Sequence, residues 1–410
     1  MSDADSLKVP FSRPSITKAE EDIVLKILRS GWLTTGKYAK EFEESFSAFM
    51  NKNPEMTENR KKEGLDTRPV ISLAVNSNTS GMILAMEACG VTQGTAVITT
   101  PYTFVSTATC ARHLGADVFF ADLEKDSYSI DSVKIEEILK SPDGKKVKAI
   151  VPVHIAGNMC NMQEICRLGK KYGVKVIEDA AHSFPSATDL GYGGTVGDIG
   201  VFSFYVTKTI TTAEGGMVCT RDPELAGRMT KMRMHGMDRT TWDRYTSPRA
   251  SWEYDIVAPG YKFNLPDILC GLGIEQLKRA EDFYEKRMRI VKKYSEAFRT
   301  LDFIQLPPDG KGNSWHLYLM RIVPEKLKID RNTFASLMQK SGIGISMHFI
   351  PLFHFTYWKN LYSNFTPENF PEAEKKYSRT ITIPLWPDMT DKMVSEVIET
   401  VIKIGRKNHV

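Results

Sequence analysis

In the stretch "VFSFYVTKTITTAEGG", Lys208 follows an apolar, aromatic-rich run and sits among Thr207, Thr209, Thr211 and Thr212, just ahead of Gly215 and Gly216. A lone lysine is more often a solvated surface charge than a catalytic group, so its meaning depends on its company. The segment "VKVIEDAAHSFPS" reads as a buried strand whose carboxyl end delivers Glu178, Asp179 and then His182. An acid there is costly to bury; it has a cationic partner, a functional role, or a helix to cap. In "AVNSNTSGMILAME" a strand runs into Asn78, Thr79, Ser80 and Gly81. Free amides and a hydroxyl at that helix start make a phosphate seat, or simply an N-cap. "ITTPYTFVST" sets Tyr102 and Phe104 after another strand. A flat ring there covers a flat ligand or packs in the core.

Lysine, buried aspartate, phosphate seat and aromatic cover are together the set that pyridoxal 5'-phosphate uses. The lysine holds the aldehyde as a Schiff base, and an anion keeps the pyridine nitrogen protonated so that the ring accepts electrons. Asp179 and Lys208 follow successive strand patterns, as these two roles require. Ser203 is a second candidate for the phosphate. The glycine pattern in "GYGGTVGDIG", at Gly191 to Gly200, resembles a dinucleotide loop. It precedes a strand instead of joining a strand to a helix, so the context for that motif is missing.

These residues need a scaffold. From about Val70 to Val218 short β-branched runs alternate with helical stretches, as in "PVISLAV" then "TSGMILAMEACG" and "AIVPVH" then "MQEICRLGKKYG". That rhythm predicts an α/β fold with a mostly parallel sheet, whose ligands gather beyond the carboxyl ends of its strands. A boundary near "APGYKFNLPD" divides the chain into a large cofactor-binding unit, 1–258, and a smaller α+β unit, 259–410. Leu265, Ile268, Leu269 and Leu272 recur at helical spacing and start a bridging helix. "NKNPEMTENRKKEGLDTRP" is polar and broken by prolines, and is expected to be an exposed insertion loop.

With 410 residues, 42% hydrophobic and 25% charged, the composition is that of an ordinary globular enzyme. The net charge of +4 without basic–aromatic runs argues against a nucleic-acid partner. An acidic start and the lack of long apolar runs lead us to expect a cytoplasmic protein away from the membrane. Six dispersed cysteines without a CxxC pair argue against a zinc site or a disulfide framework.

With these residues in view, the chain resembles the DegT/StrS family of pyridoxal-phosphate sugar aminotransferases. The likeness runs from "FSRPSITKAEEDIVLKILRSGWLTTG" at Phe11 to "ITIPLWPDMT" near the end, and "EDAAH", "FSFYVTKTITTAEGGMV", "GYKFNLPDILCGLGIEQL" and "GIGISMHF" are its markers. The resemblance implies an aspartate-aminotransferase-like fold. It makes Lys208 the cofactor-binding lysine and proton carrier, Asp179 the partner of the pyridine nitrogen, and His182 the neighbour of the phenolic oxygen. Phe104 would stack on the ring, and Thr79, Ser80 and Ser203 would bind the phosphate. Asn264 of the neighbouring subunit would join them, implying a homodimer with shared sites. Dehydratase relatives carry histidine at the position of Lys208, so a lysine there implies transamination, from L-glutamate with 2-oxoglutarate leaving.

The acceptor implied is a UDP- or dTDP-linked keto sugar for lipopolysaccharide or another surface glycan. "SGWLTTG", "PVHIAG", "GYKFN" and "HGMDRTTWDR" are similar to members that make UDP-4-amino-4-deoxy-L-arabinose. Tyr205, Ile155 and the long insertion depart from that pattern and leave a 3-keto UDP-N-acetylglucosamine derivative open. A cofactor-binding sugar-nucleotide sensor without turnover is the other alternative. Trp32, Thr34, His348 and Arg239 are candidates for the substrate pocket, with His235, His316, Arg233 and Arg244 further candidates.

Overall fold

The computed structural model describes residues 7–238, 253–310 and 312–410. Its strands are β1 (Ile71–Val75), β2 (Ala96–Thr99), β3 (Asp117–Phe120), β4 (Val147–Ile150), β5 (Lys175–Asp179), the short pair β6 (Ala187–Thr188) and β7 (Gly191–Tyr192), β8 (Ile199–Ser203) and β9 (Gly216–Thr220). Seven of them form one sheet in the order β1-β9-β8-β5-β4-β2-β3. The run from β3 to β8 is parallel, and β9 lies antiparallel to both β8 and β1. The expected α/β architecture with a mostly parallel sheet is therefore the one observed.

Helices α1 (Lys18–Ser30), α2 (Lys37–Met50), α3 (Pro54–Lys62), α4 (Asn78–Ala88), α5 (Ser106–His113), α6 (Ser132–Lys140), α7 (Met162–Tyr172) and α8 (Pro223–Met232) accompany the sheet. Strands β1, β5, β8 and β9 are buried along almost their whole length, which is why they read as largely apolar runs. Helix α4 lies close on β8 and β9 because position 81 is glycine: a Cβ there would meet Val201 Cγ1 at 2.6 Å and Val218 Cγ2 at 2.9 Å.

The polar insertion is more ordered than its sequence suggested. Pro54 does not break a helix but starts one at its first position, with the Asn53 side chain accepting from the Glu55 N–H. Arg60 then turns inward and is 1% exposed. Composition pointed to a loop because the helix has no apolar stripe; it is held by the guanidinium instead.

The helix Asp267–Lys278 packs on α1 and α2, and its residues Cys270, Ile274 and Leu277 share a core with Phe42, Phe46 and Phe202. The Asp267 carboxylate accepts from the N–H groups of Gly36 (2.7 Å) and Ala39 (2.9 Å), fixing the start of α2. Beyond it, β10 (Ile304–Gln305), β11 (Tyr318–Ile322) and β12 (Thr380–Ile383) form an antiparallel sheet. That sheet has its own core with the helices Ala280–Phe298, Arg331–Lys340 and Asp391–Lys407. A division into 1–258 and 259–410 remains a proposal: Asn264 still pairs with Val75 at the end of β1, and Val9 packs in the core of the small sheet. Among the described residues no helix is long and apolar enough to cross a membrane, and all six cysteines are free.

Candidate active site

Beyond the carboxyl ends of β5 and β8 lies a cavity of about 330 Å³ that takes in Thr79, Phe104, Asp179, His182, Ser203, Lys208 and His348. Residues far apart in sequence meet here because parallel strands all point the same way.

Asp179 ends β5 and is 4% exposed. Its Oδ2 accepts from the Thr107 hydroxyl at 2.6 Å, while Oδ1 accepts from the Ala181 N–H at 3.2 Å and from Asn78 Nδ2 at 3.5 Å. Three elements therefore fix the orientation of this carboxylate: β5, the first turn of α5 and the first turn of α4. Glu178, its neighbour, points the other way. It accepts from Gly194, Val196 and Gly197 N–H groups and lies 2.7 Å from His154 Nε2. Burial works against the Glu178 anion, but His154 and these amides outweigh it and hold the carboxyl below the usual range. The glycine-rich stretch that resembled a nucleotide loop thus cradles an internal carboxylate.

Lys208 is half-buried in the wall of the cavity and makes no side-chain hydrogen bond or ion pair among the described residues. Burial, opposed by the charge of Asp179, lowers its ammonium to about 8. His182 accepts the Ala156 N–H on Nδ1 at 3.2 Å and stacks on Phe349 with centroids 5.5 Å apart. Burial first, then Lys208 and His348, push the ring well below its ordinary value. It is therefore a neutral imidazole with its proton on Nε2, free to donate. His348 also lines the cavity, contacts Thr382 Oγ1 at 3.1 Å, and is pushed down to about 3 by burial and then by Lys208.

At the start of α4 the Ser77 hydroxyl caps the helix by accepting the Ser80 N–H at 3.1 Å. Ser77, Asn78 and Thr79 face the cavity, whereas Ser80 does not line it and contacts Ser77 Oγ at 3.0 Å. Phe104 projects a ring that is 59% exposed over the same space.

These groups fit pyridoxal phosphate: an amine without a partner, a carboxylate locked in orientation, a ring for stacking and a helix N-terminus with hydroxyls. Other predicted residues lie elsewhere. Trp32 and Thr34 are outside the cavity, near the start of α2, where the Thr34 carbonyl accepts the Asp267 N–H. Asn264 donates to Thr35 Oγ1 at 2.6 Å and does not line its own chain's cavity. His316 is buried 4.5 Å from the His182 ring, behind the wall, and His235 occupies a tight turn. Arg233 is not a free cation: it pairs with Glu43 at 2.5 Å and donates to the Ala74 carbonyl. Arg239 and Arg244 lie outside the described residues.

Ser77, Thr103, Thr107 and Glu214 were not singled out in the sequence, yet Thr107 holds Asp179 and the others line the cavity. The spacing of Thr103 and Thr107, four apart where α5 begins and with hydroxyls 2.8 Å apart, was the available signal.

A family model described as "DegT/DnrJ/EryC1/StrS aminotransferase family" matches residues 14–402. The chain is 37% identical over 397 residues to the spore coat polysaccharide biosynthesis protein SpsC of Bacillus subtilis, covering 96% of each chain. Among solved structures it is similar to Spr1654 of Streptococcus pneumoniae in its PMP form, with TM-score 0.85, 28% identity, and 98% of this chain and 100% of the other covered. The same protein in its PLP form gives a TM-score of 0.84 and 29% identity, with 97% and 99% covered. PseC of Helicobacter pylori, an aminotransferase in the biosynthesis of pseudoaminic acid, gives a TM-score of 0.82 and 27% identity, with 97% and 99% covered.

Proposed function

Because the chain belongs to the DegT/DnrJ/EryC1/StrS aminotransferase family and is a pyridoxal-phosphate enzyme, we propose that it moves an amino group from L-glutamate to the carbonyl of a UDP-linked keto sugar. The product would enter a surface polysaccharide or lipid A. The observation that carries this reading is Lys208, an amine without a hydrogen-bond partner, sharing one cavity with the fixed Asp179 carboxylate. The sugar is supported by the place of SpsC in spore coat polysaccharide biosynthesis and of PseC in pseudoaminic acid biosynthesis. The sequence motifs similar to members that make UDP-4-amino-4-deoxy-L-arabinose favour a 4-keto acceptor.

Pyridoxal phosphate, when bound, supplies the electron sink for breaking and making bonds to hydrogen at the amine-bearing carbon. Lys208 Nζ is the group that would hold it covalently, and with its ammonium lowered to about 8 a useful share of the amine is neutral near pH 7.5. The same amine, when not holding the cofactor, would take up and give back a proton at Nζ. Asp179, held by Thr107, would be the anion for the pyridine nitrogen. The Nε2–H of His182 would be the donor for the phenolic oxygen. Ser77, Thr79, Ser203 and the α4 amides would hold the phosphate, with Asn264 of a second copy as a further ligand. Phe104 would cover the ring and keep water from it. The half-buried His348 lines the cavity and would serve the substrate.

Absorbance of the purified protein with added cofactor tests this reading. L-Glutamate should bleach the yellow band, and one keto sugar from a panel of UDP- and dTDP-linked candidates should restore it. A band that ignores glutamate would instead favour a different donor or a sensor without turnover.

A further inference from the structure

The mechanism leaves unused a charged cavity with two buried arginines on its wall. It lies at the opposite end of the central strands, lined by Val174 just before β5, Lys175 at its start and Asp198 just before β8, with a volume of about 460 Å³. The insertion between α2 and β1 forms one wall, and Arg60 on α3 and Arg221 just after β9 both reach it.

Both arginines are buried, at 1% and 8% exposure, and neither forms an ion pair among the described residues. Arg60 donates only to backbone carbonyls, those of Asp66 (2.7 Å), Leu190 (3.2 Å) and Thr195 (3.0 Å). Arg221 donates from Nη1 to the Arg68 carbonyl, and its buried Nε has no partner. Burial and the neighbouring Arg60 charge push the Arg221 guanidinium down to about 10. Two buried like charges on one cavity, hydrogen-bonded only to neutral carbonyls, favour an anion within their reach.

The Asp66 and Glu178 charges favour both guanidiniums through space, but no nearby carboxylate bonds to either one. Asp66 is engaged with Arg68 at 2.6 Å, and Asp222 caps α8 while lying 3.6 Å from Arg68. Asp198 is engaged with Lys175 at 2.8 Å, and Glu178 with His154 and three amides. Lys170, exposed at the mouth, adds a third cation without an ion-pair partner among the described residues. We propose that this cavity binds the phosphate group of a small anion, either inorganic phosphate or a phosphate monoester. Planar guanidinium groups match tetrahedral oxyanions through paired N–H donors. The site is separate from the cofactor phosphate seat, since Asp179 and Ser203 mark the other ends of β5 and β8.

The test is calorimetry on the cofactor-loaded enzyme in chloride buffer of fixed ionic strength, titrated with inorganic phosphate and separately with glycerol 3-phosphate. Saturable binding should weaken at least about tenfold in Arg221→Gln, which loses a charge-assisted donor, and several-fold in Lys170→Gln. Tighter binding of glycerol 3-phosphate than of phosphate would identify a monoester ligand, and the reverse a free phosphate. No saturable binding of either anion, or equal affinity in the wild type and both variants, would overturn the proposal. Lys170 is exposed and its substitution leaves the core intact, so Lys170→Gln decides the matter even if Arg221→Gln does not fold.

Discussion

The hydroxyl of Thr107 lies 2.6 Å from Oδ2 of Asp179, joining the first turn of α5 to the end of β5. The carboxylate at the heart of the site thus has its orientation set by a side chain that touches neither lysine nor cavity.

Thr107→Val keeps the shape and removes the donor. We expect turnover to fall about tenfold to a hundredfold, the worth of a buried hydrogen bond to a charged group, with cofactor still bound. Thr107→Ser should recover most of the rate. Steady-state kinetics with parallel absorbance spectra check both.

Asp179→Asn removes the charge without the volume. The variant should retain much of its cofactor and lose at least about a hundredfold in rate, because the electrostatic support of the ring is gone. An unchanged rate would refute the role.

Lys208 should reveal its lowered ammonium. The rate at which apoprotein captures added cofactor should rise with pH and level off near 8, since only the neutral amine attacks. Stopped-flow absorbance between pH 6 and about 11 measures it; a rise that continues through 10 would place the amine at its ordinary value. Lys208→Ala should fold and show no turnover.

Glu178 is the stability counterpart. Its carboxyl is held below the unfolded value of 4.5, so its contribution is fully present above that pH and is lost as pH falls through the lower folded value. Glu178→Gln strips the partner from buried His154, so thermal unfolding at pH 7 should show a loss of about 3–5 kcal/mol. The variant should also lose part of the wild-type drop in stability on acidification.

Much of this was legible because a buried parallel strand announces itself and its last residue marks the ligand side. Asp179, Lys208, Phe104, His182, Thr79 and Ser203 were all found in that way, and all line one cavity. Contacts set by tertiary packing were not legible. Thr107 meets Asp179 across 72 positions, and Ser77 faces the cavity in place of Ser80 because of the turn that starts α4. The insertion misled for a different reason: its helix is held by a buried guanidinium, which leaves no apolar period in the sequence. Asn264 lies away from its own chain's cavity, and its proposed role in a second copy is not one that a single chain's spacing can announce.

The central claim is that Lys208 carries the cofactor covalently. Reduction of the yellow enzyme with borohydride, followed by proteolysis and mass spectrometry, tests it most directly. The account predicts the added cofactor mass on the peptide containing Lys208 and its disappearance in Lys208→Ala; the mass on another lysine, or on none, would contradict it.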